Sequence, residues 1–397
     1  MRFDLSRLSG DFIENPYPAL ARLRSTEPVY QLPDGSFFLT RYADVQHLYQ
    51  SRNLLSDKSQ EFRSKFGQTP LFEHHTTSLV FNDPPYHTVV RKLLAGAFTP
   101  RKLVEMEARV RKITDSLLDQ LANKRDIDLI SDFATELPTR IISFMLGIPE
   151  SHRAELRGFS LAILGALDPA VSQERMAAGN AAVLEFSNIL DQIITHRRAN
   201  PGQAEQGDVL DNLIHGSHEG RHLSQSELIQ NCIFLLNAGH ETTTSLVSNG
   251  VGLLLENPDQ LAALRADPRL IDGAVEEILR LESPLQMGNR RANETISLDG
   301  SVLPIGSYFH TSIAAANRDP AQFSDPDRMD ITRTPNRHLA FITGIHVCLG
   351  ATLARIEGRI ALGRLVKRFS DIIPSGPAVR LPLARFRGWQ SFPLRLG

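Results

Sequence analysis

Between residues 86 and 260 apolar positions recur with the three-and-four spacing of helices, over segments 86–96, 100–122, 131–146, 151–165, 172–198 and 225–255. The last of these carries the clearest start signal. Ser224-Gln225-Ser226-Glu227 matches a capping box, in which Ser224 caps the first turn and Glu227 reaches back. Nothing breaks the run before Asn257-Pro258, so it predicts a helix of about 30 residues, roughly 45 Å long. The segment is apolar on nearly every side, which predicts burial.

Elsewhere the pattern is mixed. Asn15-Pro16-Tyr17-Pro18 opens a short amphipathic helix over 19–24. Residues 29–32 and 36–40 flank Asp34-Gly35 and predict a β-hairpin. Residues 53–85 show little periodicity and predict a long loop with short helical pieces, a kind of segment that usually serves function. After residue 285 short β-like runs, 296–298 and 302–304, sit between Asp-Gly and Ile-Gly turns. A Pro- and Asp-rich meander covers 317–336, a helix is predicted over 350–369, and the tail is strand-like. With no repeat and no low-complexity linker, the reading is a single domain over 1–397, mostly α (α+β) with a small β-rich part.

Charge and cysteine usage narrow the class. Lys+Arg total 43 and Asp+Glu 45, a net charge of −2, which argues against nucleic acid as a main partner. Only Cys232 and Cys348 are present, with no C-x-x-C pair for a zinc ribbon or dithiol site. Sparse cysteine fits a reducing, cytoplasmic setting. The start of the chain has charges every few residues, unlike a secretory signal. No apolar run approaches the roughly 20 residues of a membrane span, so no membrane anchor is expected.

Phe341-Ile342-Thr343-Gly344-Ile345-His346-Val347-Cys348-Leu349-Gly350 carries the strongest candidate chemistry. Gly344 and Gly350 bracket the cysteine, and each can take backbone angles closed to other residues or admit a flat ligand. Cys348 precedes a predicted helix, whose N–H groups and dipole favour a thiolate. Such a thiolate suits a soft metal or haem iron. A buried Cys without companions is more commonly a small core hydrophobe. Cys232, inside the long helix, reads that way; for Cys348 taken alone both roles stay open.

This segment resembles the haem-binding signature of the cytochrome P-450 monooxygenases, F-x-x-G-x-H/R-x-C-x-G, with Phe341, Gly344, His346, Cys348 and Gly350 at its positions. The resemblance runs over nearly the whole chain and follows the soluble bacterial members. It implies the cytochrome P-450 fold, with haem b (iron protoporphyrin IX) between the long helix and the Cys-bearing loop. Cys348 would be the metal ligand, with Phe341, Gly344, His346 and Gly350 against the cofactor. Ile342 departs from the pattern, since the family commonly has a second Gly there; the change bears on thiolate hydrogen bonding and redox potential.

Inside the long helix, Ala238-Gly239-His240-Glu241-Thr242-Thr243 puts a Gly and an acid–alcohol pair where an ordinary buried helix would have apolar residues. A mid-helix Gly costs about 1 kcal/mol against Ala. Gly, or a hydroxyl bonding back to the preceding turn, can open the helix locally. The residues alone fit a kinked helix with a satisfied buried Glu. The segment also resembles the family's A/G-G-x-D/E-T motif, which implies Ala238 and Gly239 against the haem and a proton relay through Glu241 and Thr242. Peroxide-consuming members typically lack that pair, so it favours O2 with two electrons.

Glu277 and Arg280 stand three apart on one helical face. They look like the family's structural E-x-x-R, and Arg328, in Pro326-Asp327-Arg328-Met329, is expected as their third partner. Asp83-Pro84-Pro85-Tyr86-His87-Thr88-Val89-Val90-Arg91 resembles D-P-P-x-H-x-x-x-R. By family position His87, Arg91, Arg290 and His338 would approach the haem propionates, although singly each reads as an ordinary surface charge. Spacing does not separate Arg290 from Arg291.

No G-x-G-x-x-G follows a strand and no iron–sulfur cysteine set exists, so electrons would come from a separate ferredoxin or flavodoxin with its reductase. Lys92, Arg101, Lys102, Arg355, Arg359 and Arg364 would offer a positive docking face. The pocket for a small lipophilic substrate is expected from 60–82, 160–185, Leu236, Asn237, Leu285, Gln286, Met287 and the turn at Trp389, Gln390 and Phe392. No fixed carboxylate clamp stands out, although Arg63 and His74-His75 lie in the long loop. The leading expectation is a monomeric haem-thiolate monooxygenase that hydroxylates or epoxidises its substrate. A peroxide-driven peroxygenase and a non-catalytic haem sensor are the alternatives.

Overall fold

The computed structural model describes residues 3–200 and 209–397; Met1 and Arg2 of the charged start lie outside them. The fold is built around the helix Gln225–Glu256, which has the predicted capping box: Glu227 N–H donates to Ser224 Oγ at 3.2 Å, and Ser224 N–H to Glu227 Oε2 at 2.8 Å. Its 32 residues run unbroken to Asn257, where Pro258 stops the ladder. Between Leu228 and Leu254 every residue is buried except Phe234, Ala238, Gly239 and Thr242. Close neighbours explain the burial. A Cβ on Gly250 would come within 2.8 Å of Leu362, and one on Gly358 within 2.9 Å of Leu246, so two glycines let the helices Gln225–Glu256 and Ala351–Arg368 approach.

The other predicted helices are present at Tyr86–Ala95, Pro100–Leu121, Arg153–Gly165 and Gln173–Ala199. The run over 131–146 divides into a π turn, Ile130–Ala134, and a helix, Glu136–Leu146. There the Asp128 carboxylate takes the Ile130 and Ser131 N–H groups at 2.8 and 3.3 Å. The loop 53–85 contains the helices Ser59–Phe66 and Pro70–Thr77. The helices Tyr42–Gln50 and Pro258–Ala266 fall outside the predicted segments.

The main sheet has five strands in the order Val29–Gln31, Phe37–Leu39, Tyr308–Ser312, Met287–Ala292, Leu54–Leu55. All its pairings are antiparallel except Phe37–Leu39 on Tyr308–Ser312. The predicted hairpin is there, with Gly35 at φ 86°. Met287–Ala292 is a strand that the pattern hides, because its Gly-Asn-Arg-Arg centre gives no apolar alternation. No helix among the described residues is long and apolar enough to cross a membrane.

The helix Ile271–Leu281 holds the meander in place. Arg280, fully buried, donates to Glu277 Oε2 and Oε1 at 2.8 and 2.7 Å and to the carbonyls of Asn317, Pro326 and Arg328 at 2.9, 2.6 and 3.2 Å. The third cation is Arg333, not Arg328: Arg333 Nε lies 3.2 Å from Glu277 Oε1, while Arg328 supplies only its carbonyl. The meander turns so that the later side chain points inward. Removing Glu277 would leave Arg280 buried and unpaired, so Glu277→Ala should cost about 3–5 kcal/mol in equilibrium urea unfolding. A loss below about 1 kcal/mol would show that the pair does not hold the meander.

Candidate functional site

Cys348 sits where the loop from the meander meets the helix Ala351–Arg368. The loop closes on itself: Cys348 N–H donates to Phe341 C=O at 3.0 Å and Ile342 N–H to Leu339 C=O at 2.8 Å. Gly344 is at φ 77°, and a Cβ there would stand 2.1 Å from the Tyr49 carbonyl oxygen, so neither the angle nor the space admits another residue. Gly350 differs. It caps the helix at φ −86°, and a Cβ would meet only Phe98, at 3.9 Å. Ile342 takes φ 51°, a left-handed angle that costs an L-residue about 1–2 kcal/mol, which gives the physical reason a Gly suits this position.

The Cys348 side chain is reached by solvent, yet burial pushes its thiol pKa up. Both hold for an atom at the floor of a recess in the protein. The Gly350 N–H, Arg91 and Arg355 act the other way, as the loop's position before a helix predicts, but desolvation outweighs them.

Cations gather beside this loop. Arg91 Nη2 donates to Val347 C=O at 2.7 Å, and the rings of His87 and His346 lie 4.2 Å apart. Burial, then His346 and Arg91, lowers the His87 pKa to about 4. His87 Nε2 is buried with no hydrogen-bond partner. Arg290, 8% exposed, donates from Nη1 to Asn289 C=O at 2.7 Å and stacks over Tyr49 at 4.7 Å. It has no ion-pair carboxylate among the described residues. Arg291 points to the other side of the strand, where Asp57 and Glu61 lie 3.6 and 3.8 Å away. Thus Arg290 is the cation with unspent donors, and Arg291 is neutralised.

On the central helix Ala238, Gly239 and Thr242 share one face, the only opening in its middle apart from the partly buried Phe234. The helix is not broken there. Thr242 Oγ1 donates back to Ala238 C=O at 2.5 Å beside an intact ladder, so the expected local opening does not occur. Glu241 turns away from that face. It is 1% exposed with neither oxygen hydrogen-bonded, and the nearest side-chain nitrogens are His240 Nδ1 at 3.6 Å and Arg157 Nε at 3.9 Å.

Other expected residues are distributed differently. His338 Nε2 lies 3.2 Å from Glu276, which also holds Arg355 bidentately at 2.7 and 2.8 Å. The cationic face is largely compensated: Arg101 meets Glu105, Arg359 meets Glu107 and Asp272, and Arg364 meets Asp115. Leu285 packs with Leu164, Leu383 and Phe386 in one apolar group. Met287 instead joins the N-terminal cluster around Leu5 and Phe38. Trp389 and Phe392 lie against Gly252, ten residues or about 15 Å along the helix from Thr242, so that turn does not border the open face. The sequence pattern missed Leu383 and Phe386, which precede the turn it singled out.

A soft sulfur donor in a recess, a buried guanidinium and imidazole with unspent donors, and an open helix face of small residues fit a flat, dianionic, metal-bearing ligand such as haem.

The family model for cytochrome P-450 matches residues 22–152 and 170–386. Cytochrome P-450 107B1 of Saccharopolyspora erythraea is 37% identical, over 99% of this chain and 98% of its own. Cytochrome P-450 monooxygenase PikC of Streptomyces venezuelae is 39% identical, over 99% of this chain and 94% of its own. Among solved structures, P450BioI in complex with hexadec-9Z-enoic acid ligated acyl carrier protein superposes with a TM-score of 0.92 at 34% identity, covering 98% of this chain and 100% of that one.

The two loop glycines should respond unequally to one methyl group. Gly344→Ala is expected to lower stability by at least about 2 kcal/mol, since it combines a left-handed angle with a backbone clash. Gly350→Ala should cost less than about 1 kcal/mol, within the range of a helix-cap change. Equal losses in urea unfolding would contradict this reading of the loop.

Proposed function

The chain belongs to the cytochrome P-450 family of monooxygenases, and from that membership we propose that it hydroxylates or epoxidises a small lipophilic substrate using O2 and two electrons. The family implies a haem cofactor, and we assign haem b to this chain. The observation that carries the assignment is the pairing of a recessed Cys348 with an interior cation, Arg290, that has no carboxylate of its own.

In this reading Cys348 ligates the iron, and Phe341, Gly344, His346 and Gly350 shape the loop around the sulfur. Arg290, His87, Arg91 and His338 hold the propionates. For His338 this means sharing its imidazole with Glu276. The small side chains of Ala238 and Gly239 would leave room for the cofactor against the central helix. Bound haem supplies the reductive activation of O2 that side chains alone cannot perform.

The remaining steps belong to the chain's own groups. Arg157 is partly exposed and lies beside Glu241, so protons entering from solvent can reach the Glu241 carboxylate there. A rotation of that side chain carries the proton to the Thr242 face. Thr242 Oγ1 spends its own hydrogen on Ala238 C=O and so offers lone pairs as an acceptor, which orients the incoming donor. Leu164, Leu285, Leu383 and Phe386 exclude water and hold an apolar substrate. Electrons come from a ferredoxin or flavodoxin with its reductase. With Arg355, Arg359 and Arg364 already paired to acids, docking depends less on bulk positive charge than their sequence positions imply.

Two measurements test this. The reduced, carbon-monoxide-bound protein should show the strongly red-shifted Soret band of thiolate ligation, absent in Cys348→Ser; a wild-type protein without haem would sink the proposal. Arg290→Leu should lower haem retention during dialysis at least about tenfold, one charge-assisted contact being worth some 1.5–3 kcal/mol. Arg291→Leu should leave retention within about twofold, because it removes only a partly exposed ion pair. Equal losses would remove the distinction.

A further inference from the structure

A second group of interior basic side chains gathers at the helices Ser59–Phe66 and Pro70–Thr77, apart from those beside Cys348. Lys58 is 6% exposed. Its Nζ donates to Asn289 Oδ1 at 3.3 Å and lies over the rings of Phe81 and Phe62 at 4.6 and 5.8 Å. Arg385 Nη1 donates to the same Asn289 oxygen at 2.7 Å, so two cations share one neutral acceptor. Arg385 otherwise bonds the carbonyls of Leu167 and Met287, at 2.8 and 3.2 Å, through Nε and Nη1, and its Nη2 has no hydrogen bond among the described residues. His75, 1% exposed, has a partner on neither ring nitrogen. Its ring sits 5.2 to 5.5 Å from those of Phe62, Phe66 and Phe81.

Of the nearby acids, Asp168 accepts the N–H groups of Ala384 and Arg385 at 3.1 and 2.9 Å, and Glu61 faces Arg291 at 3.8 Å with its Oε2 buried and without a hydrogen bond. Burial, and then Arg385 and Arg290, drives the Lys58 pKa well down. Lys58, whose one acceptor is shared with Arg385, and His75, which has none, lie inside an aromatic shell, and burying polar groups so poorly matched costs stability unless a ligand supplies an anion. The shell suits an apolar tail, and the three donor groups suit a single planar anionic head.

We infer that Lys58, His75 and Arg385 receive the carboxylate of the substrate, which makes the substrate class lipophilic carboxylic acids. The inference rests on the monooxygenase reading above and adds the head group to it. Position supports it. The helix Pro70–Thr77 touches the central helix through His74 and Gln230, at 3.1 Å, and Gln230 lies eight residues, about 12 Å, before Ala238. A carboxylate held at Lys58 therefore leaves the distant carbons of a chain able to extend toward the open face.

The test uses the haem-loaded protein and matched pairs: octanoate, dodecanoate and hexadecanoate, each against its primary alcohol. Binding is followed by the ferric spin-state shift and independently by calorimetry. At least one acid should bind about tenfold or more tightly than its alcohol, the scale of one charge-assisted hydrogen bond. Lys58→Met should remove that preference while leaving the alcohol's Kd within about twofold, since the head-group contact alone is lost. Equal binding of acid and alcohol for every pair in the wild type overturns the inference without any variant. So does an acid preference that survives Lys58→Met. If Lys58→Met loses haem or alters the carbon-monoxide spectrum, these cations serve the cofactor and the inference also fails. A wild type that binds no haem, by contrast, fails the monooxygenase reading itself.

Discussion

Arg280 is a fully buried guanidinium whose five hydrogen bonds go to Glu277 twice and to three main-chain carbonyls. Taking such a charge from water costs several kcal/mol and is offset only when every donor finds an acceptor. Those acceptors come from a meander that has no regular ladder to order it. The cation thus prescribes the path of the chain after residue 316. Asn317 continues the prescription: its carbonyl meets Arg280, its Oδ1 takes the Leu339 N–H at 2.7 Å, and Leu339 C=O takes the Ile342 N–H at 2.8 Å. Three hydrogen bonds lead from a helix in the core to the start of the cysteine loop.

The loop is fixed from its other side by Tyr49. Its carbonyl abuts Gly344, its hydroxyl hydrogen-bonds Thr311 at 2.6 Å, and its ring lies under Arg290. One residue thereby couples the loop, the main sheet and the interior cation. Ile342 fits this account. A β-branched residue at a left-handed angle persists only where its surroundings over-determine it, and here both anchors do so.

Much of this was legible in the sequence. The capping box gave the central helix its start, Asn257-Pro258 its end, and its composition its burial. Glu277 and Arg280 were paired correctly, but their third partner was misplaced by five positions. An aperiodic meander carries no signal for which arginine turns inward, and Arg333 does so because the chain bends to satisfy Arg280. Strand alternation separates Arg290 from Arg291 only once Asp57 and Glu61 show which face is which. The sequence marks His75, with Arg63 and His74, as a basic residue of the loop without giving it a role, and Lys58 escapes entirely. In a loop without periodicity, polar residues read as surface, and only the tertiary packing of Phe62, Phe66 and Phe81 encloses them.

The interior cations therefore fall into two kinds, and the difference says where ligands belong. Arg280 spends all five of its N–H donors, and Arg387 is paired with an acid, meeting Glu282 and the carbonyls of Ile13 and Glu14 at 3.1 and 3.0 Å. Groups like these fix the fold and would gain nothing from a ligand. Arg290 and Lys58 are held as firmly but keep donors unspent, which lowers the stability of the protein alone. Retaining such strain is favourable only if an anion arrives to relieve it, and donors oriented beforehand lose little freedom when it does. Arg290 stands beside the cysteine loop and Lys58 beneath the helices of the 53–85 segment. Asn289, which accepts from Lys58, and Arg290 are neighbours on the strand Met287–Ala292 and so face opposite sides of it, which keeps the two cations apart.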